Sequence, residues 1–136
     1  MMPGVRLSPL KIIPGEAGAV LHGLKQSWDG YDAFGEAYFS EIHQGAIKSW
    51  RRHLRATLNL VVPVGAVRFV LYDGTSFEEC TIGRSADYSR LTVPSAIWFA
   101  LQGRGVGTSL ILSISSLEHD PAEAETRALG EIPFGW

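Results

Sequence analysis

The sequence predicts an all-β fold, a closed barrel or jelly-roll sandwich of short strands. Fifteen glycines and seven prolines are spread through 136 residues and divide the chain into short segments, the punctuation of a β protein. The segments between them are rich in β-branched, aromatic and large aliphatic residues, which suit a pleated, half-buried surface. So many short strands need closure or a second sheet to hide their edges.

Residues 1–16, with their prolines and glycines, read as an extended arm, and Ala17–Gln26 carries a helical pattern. Strands are expected at Ala37–Ile42, Ala46–Trp50, Leu58–Val62, Ala66–Tyr72, Glu78–Ile82, Ser89–Val93 and Thr108–Ser113. The turns between them have matching chemistry: "VPVGAV" at Val62–Val67 sets a proline and a glycine between apolar runs, and "YDGTSF" at Tyr72–Phe77 carries the Asp-Gly pair of tight hairpins. Pro121–Leu129 looks helical, so residues 121–136 are expected to form a C-terminal helix and tail. The whole of 1–136 then reads as one domain. Its arm and tail either pack on their own barrel or exchange with a second subunit.

A formal net charge of −2 provides no global field to gather nucleic acid or an anionic membrane surface, so neither is an expected partner. The single cysteine, Cys80, cannot close an internal disulfide, and the N-terminal stretch is not a continuous apolar run of the kind that spans or targets a membrane. The expected location is the cytoplasm.

Charge is concentrated in one place. Lys48-Ser-Trp-Arg-Arg-His-Leu-Arg55 holds four cations, an imidazole and an indole, then runs into an apolar strand. If the segment stays extended, alternation places Arg51, His53, Arg55, Thr57 and Asn59 on one side and Trp50, Leu54, Ala56, Leu58 and Leu60 on the other. The polar row admits two placements, an outer solvated face or the mouth of the barrel. In the second, the cations suit a diphosphate and His53 suits acid–base work near neutral pH.

Other chemistries find little support. The four histidines, His22, His43, His53 and His119, include no His-x-His pair, so no metal site is expected. There is no Gly-x-Ser-x-Gly, and "GRGVG" at Gly103–Gly107 lacks the Gly-Lys-Ser/Thr ending of a phosphate loop.

The order of "FGEAYFSEIHQGAIKSWRRH", "LNLVVPVGAVRFVLYDG", "LTVPSAIWFALQG", "DPAEAETRAL" and the terminal "IPFGW" resembles the cupin-type sugar-nucleotide epimerases and isomerases related to dTDP-4-dehydrorhamnose 3,5-epimerase, over nearly the whole chain from about Leu10. The resemblance implies a cupin-like jelly-roll β-barrel, a homodimer, and a nucleoside-diphosphate 4-keto-6-deoxy sugar bound inside the barrel with no metal or organic cofactor. It implies proton abstraction beside the 4-keto group, which needs a base, a stabiliser of the enolate oxygen and a group to return the proton.

Carried across, Lys48 matches the family's cation and Trp50 its bulky apolar position. Arg51 stands where the catalytic histidine normally does, and His53 falls on the second polar position of the motif. Trp98 and Phe99 occupy the neighbourhood of a further family histidine, and Ser113 stands nearest the expected proton-donating tyrosine. Arginine is a poor base because its pKa exceeds about 12. His53 is therefore the expected acid–base residue, with Lys48, Arg51, Arg55, Asn59 and Tyr38 binding substrate. The leading expectation is an epimerase or ketoisomerase for a dTDP-4-keto-6-deoxy-type sugar feeding surface polysaccharide. The alternative is a catalytically silent cupin that binds a nucleotide sugar or polysaccharide intermediate, and a third reading makes the basic row a dimer contact.

Overall fold

The computed structural model describes all of residues 1–136. In chain order its strands are β1 (Arg6–Pro9), β2 (Ile12–Ile13), β3 (Val20–Leu21), β4 (Glu36–Ile42), β5 (Ile47–His53), β6 (Leu58–Val64), β7 (Val67–Tyr72), β8 (Phe77–Ile82), β9 (Ser89–Val93), β10 (Trp98–Gly103), β11 (Ser109–Ser115) and β12 (Ala124–Thr126). Two five-stranded sheets face each other, with strand orders β1-β9-β6-β11-β4 and β12-β5-β10-β7-β8. Apart from the β7–β8 hairpin, successive strands from β4 to β12 alternate between the two sheets, as in a jelly roll, and the ladders within both sheets are antiparallel.

Strict alternation builds the interior. Leu58, Leu60 and Val62 of β6, Val67, Phe69 and Leu71 of β7, Leu91 and Val93 of β9, Phe99 and Leu101 of β10, and Ile111 of β11 meet between the sheets in one cluster of 16 buried residues. The outer face of the second sheet carries a smaller cluster, Trp50, Val70, Trp98, Ala100 and Ile132, with Phe77, Phe134 and Trp136 packed against it. The C-terminal tail thus docks on its own barrel and covers that face. Trp50 donates its indole N–H to the Leu129 carbonyl at 3.3 Å, which satisfies a ring that is 1% exposed.

Three expectations about elements need correction. Ala17–Gln26 is not helical; part of it forms β3, which pairs with β2 in a two-stranded ribbon. The C-terminal helix is also absent: Pro121–Glu123 makes one 3-10 turn, capped by the Asp120 side chain accepting from Ala122 N–H, and the chain then extends into β12. There Ala124, Glu125 and Thr126 pair with His53, Arg52 and Arg51, so ladder hydrogen bonds and the sheet edge outweigh the helical propensity of "AEAE". The strand β10 was not among those expected. "WFALQG" has few β-branched residues and is buried on both faces, so it carries no alternation to read. Within residues 1–16, β1 pairs with β9.

Candidate active site

Both features that place the basic stretch are breaks in β5. Facing β10, Arg51 pairs with Phe99 and Lys48 with Leu101, so three residues of β5 span two of β10. This bulge turns Lys48 and Arg51 to the same side although their spacing is odd. Both line a cavity of about 190 Å³ between the sheets, with Tyr38, Ser40, Ser49 and Ser113 as its other polar wall and Phe69, Phe99 and Ile111 among its apolar wall. Lys48 Nζ donates to Ser40 Oγ at 3.1 Å. The polar row therefore enters the barrel where Arg51 stands. Arg52 points the opposite way, donating to Glu125 Oε1 at 2.6 Å with its guanidinium 4.7 Å from the Trp98 ring centroid.

The second break ends the strand. After His53 the chain bends through Leu54–Ala56 without glycine or proline, and the Glu123 carboxylate makes the bend possible. Its Oε2 accepts from the backbone N–H groups of Leu54, Arg55 and Ala56 at 3.2, 3.3 and 3.3 Å. Its Oε1 lies 2.6 Å from His53 Nδ1. Burial favours the neutral carboxyl, but the hydrogen bonds from His53 and from the Arg55 and Ala56 backbone outweigh it and hold the group below the usual carboxylate range. A carboxylate at that oxygen favours a proton on Nδ1, and in the neutral ring the lone pair is then on Nε2. Nε2 is buried and has no partner in the protein. The imidazole is stacked on Phe99, with centroids 6.3 Å apart and planes 13° apart. Its backbone carbonyl is held by Ala96 N–H at 2.7 Å, from a turn in which Ala96 has φ of 69°.

His53 does not line the larger cavity. It lies in a narrow recess of about 20 Å³ whose walls include Glu36, Ser115 and Glu123, and which shares Tyr38 and Arg51 with that cavity. A ring held in the cavity by Lys48 and Arg51 would meet the imidazole at this junction.

The bend also corrects the register read from sequence. Arg55 sits exposed in it and lines neither cavity. Beyond the bend, Leu58 and Leu60 face inward, so Asn59 faces the outer side. There it is 3% exposed: Oδ1 accepts from Arg90 Nε at 3.0 Å and Thr92 Oγ1 at 2.7 Å, and Nδ2 donates to the Gly30 carbonyl at 2.9 Å. Arg55 and Asn59 are thus not part of the cavity, whereas Lys48, Arg51 and Tyr38 are. Glu123 was missed because "DPAEAE" reads as a helix start. No group of three or more His, Cys, Asp or Glu side chains is placed to hold a metal ion.

The two-sheet antiparallel barrel, with a cation-lined interior cavity and an imidazole–carboxylate pair at its edge, has the architecture of a cupin. No family model matches the sequence. A dTDP sugar isomerase from Desulfovibrio desulfuricans G20 superposes with a TM-score of 0.93 at 34% identity, covering 98% of this chain and 91% of that one. The chain belongs to this family of dTDP-sugar isomerases and epimerases with the cupin fold. QdtA, a sugar 3,4-ketoisomerase from Thermoanaerobacterium thermosaccharolyticum, shares the fold at 15% identity with a TM-score of 0.78, over 92% of this chain and 89% of its own. A probable low-salt glycan biosynthesis epimerase, Agl13 of Haloferax volcanii, is 22% identical over 125 residues, 85% of this chain and 80% of its own length.

Proposed function

We propose that the protein is an epimerase or ketoisomerase of a dTDP-4-keto-6-deoxy-type sugar, working by proton abstraction next to the 4-keto group. The observation that carries this reading is the His53–Glu123 pair, an imidazole with its Nε2 free and its other nitrogen held 2.6 Å from a buried carboxylate, at the edge of a cavity lined by two cations. A cavity of about 190 Å³ suits one hexose ring, which leaves the diphosphate and nucleoside toward the mouth.

His53 Nε2 takes the proton from the carbon beside the ketone, and the Glu123 carboxylate stabilises the imidazolium that results. Arg51 and Lys48 stabilise the enolate oxygen and hold the diphosphate. Arg51 has no carboxylate partner in the protein, unlike Arg52, so its charge is available to a ligand. Delivery of a proton to the same carbon from the opposite face gives the epimer; delivery to the former carbonyl carbon, with the hydroxyl proton of the deprotonated carbon passing to the former carbonyl oxygen, gives the shifted ketone.

The setting proposed is a cytoplasmic deoxysugar pathway feeding surface polysaccharide, with residues 1–136 as one domain and a homodimer as the working form. Support for the dimer comes from the outer face of the first sheet. There Phe39 is 66% exposed beside the half-buried Leu110, Leu112 and Ile114, a contiguous apolar stripe that nothing in the chain covers.

The test is incubation with dTDP-4-keto-6-deoxyglucose in deuterated water, followed by mass spectrometry and NMR. Deuterium should enter the sugar beside the ketone, and His53→Asn should abolish the entry while sparing binding of dTDP. If the sugar nucleotide binds and no exchange occurs, the enzymatic reading fails. Arg51, standing in place of the family's usual histidine, favours a silent binder as the second reading, and that same outcome would support it.

A further inference from the structure

A second group of cations lies outside the barrel and takes no part in the site described above. Arg90 of β9 precedes the inward-facing Leu91, so its side chain is on the outer face of the first sheet, where it is 1% exposed. Its guanidinium is held in place by neutral acceptors: Nε donates to Asn59 Oδ1 at 3.0 Å, and one terminal nitrogen donates to the Asp29 carbonyl at 2.6 Å. The nearby Asp29 carboxylate is turned to solvent and lies 4.0 Å from Arg6 instead. Arg90 is therefore a buried cation without an ion-pair partner, and its remaining terminal nitrogen makes no hydrogen bond in the protein.

This guanidinium lines a cavity of about 230 Å³ with Ser8, Pro9, Trp28 and Asp29. A cavity of about 360 Å³ shares Pro9 and Trp28 with it and is completed by Lys11, His22 and Lys25. The two form one groove, which has no residue in common with the barrel cavity or the recess at His53. Trp28 gathers the charge. Its ring centroid is 5.2 Å from the Arg90 guanidinium carbon, 5.4 Å from Lys25 Nζ and 6.0 Å from the His22 ring centroid, and the indole face offsets part of the repulsion between these groups. Arg90 also braces the fold through Asn59, but the exposed Lys11 and Lys25 amines make no hydrogen bond or ion pair and brace nothing. In a chain of net charge −2, three fixed cations against one carboxylate are a local excess and not a share of general basicity.

We propose that the Trp28–Arg90 groove is a second anion site, separate from the barrel, that takes the diphosphate group of a small soluble ester. Cations in both halves of the groove call for a ligand with more than one negative charge, and a diphosphate offers oxygens to Arg90 and to the lysines together. The concave shape and the negative chain favour a small ligand over an anionic lipid surface. The site does not depend on the reaction carried out in the barrel.

The experiment follows the indole N–H signals of the full chain by NMR, with the tryptophans isotope-labelled. There are four tryptophans, and Trp28→Phe identifies the signal of interest. The probe is sodium pyrophosphate near neutral pH, against sodium chloride of matched ionic strength. The Trp28 signal should shift saturably with pyrophosphate and not with chloride, and the shift should persist in Arg51→Ala, which removes an anion contact of the barrel. In the double variant Lys11→Ala/Lys25→Ala the affinity should fall about tenfold or more, because two charge-assisted contacts are lost. These exposed lysines are chosen over Arg90, whose removal would also strand Asn59. A Trp28 signal that pyrophosphate leaves unmoved, one that chloride moves equally, or an affinity unchanged in the double variant would overturn the proposal. Loss of the shift in Arg51→Ala would put the anion in the barrel and overturn it as well. So would co-sedimentation with phosphatidylglycerol vesicles in the absence of any response to pyrophosphate, which would make the groove a lipid contact.

Discussion

Glu123 is the residue on which most of the site depends, because one carboxylate serves both the bend after β5 and the imidazole. Glu123→Gln keeps the size but loses the charge. It is expected to lower turnover by roughly 10²-fold, with little change in KM for the nucleotide sugar, because the imidazolium formed on proton abstraction loses its counter-charge. Stability should follow the same group. Its pKa is lowered in the fold from an ordinary value of 4.5, so its contribution is fully present above that value and is lost as pH falls through the lower, folded one. Thermal unfolding should therefore show wild type well above Glu123→Gln at pH 6–7, with the gap closing below about pH 4. Asn59 provides the contrasting case. Asn59→Ala should cost about 2–3 kcal/mol in urea unfolding, since it strands hydrogen-bond donors of the buried Arg90 and Thr92, and it should leave KM unchanged because the side chain is outside the cavity.

Among the elements, β5 shows how much of the site was legible. Arg51, His53 and Trp50 sort as alternation predicts: the first two face the interior, and the indole enters the outer cluster. Lys48 joins them only through the bulge opposite β10, and Arg55, Thr57 and Asn59 leave the row at the bend. Neither break carries a glycine or proline. Both are imposed by partners far away in sequence, β10 for the first and Glu123 for the second, so local pattern contains no signal for them. The stripe on β4 and β11 belongs at this scale too. Phe39→Asp places a charge in the middle of an exposed apolar face, and is expected to convert the proposed dimer to monomers in sedimentation velocity without unfolding the barrel.

At the scale of the molecule, the C-terminal segment links stability to the site. It provides Glu123 to His53, adds β12 to the edge at β5, and then lays Ile132, Phe134 and Trp136 across the outer face of the same sheet. Ile132→Ala, at a residue 6% exposed, should lower the urea midpoint by the equivalent of about 2–4 kcal/mol with an unchanged m-value.

By itself the sequence determined the all-β class, seven of the strands, the basic motif and the histidine within it, because strand period, turn chemistry and side-chain type are local properties. Only the tertiary structure decided that "AEAE" is a turn and a strand, that Asn59 is an outer brace, and that Glu123 and Tyr38 converge on His53 from segments distant in the chain. The physical reason is the same in each case. Pairing energies and hydrogen bonds between residues far apart in sequence outweigh local preferences worth only tenths of a kcal/mol to about one.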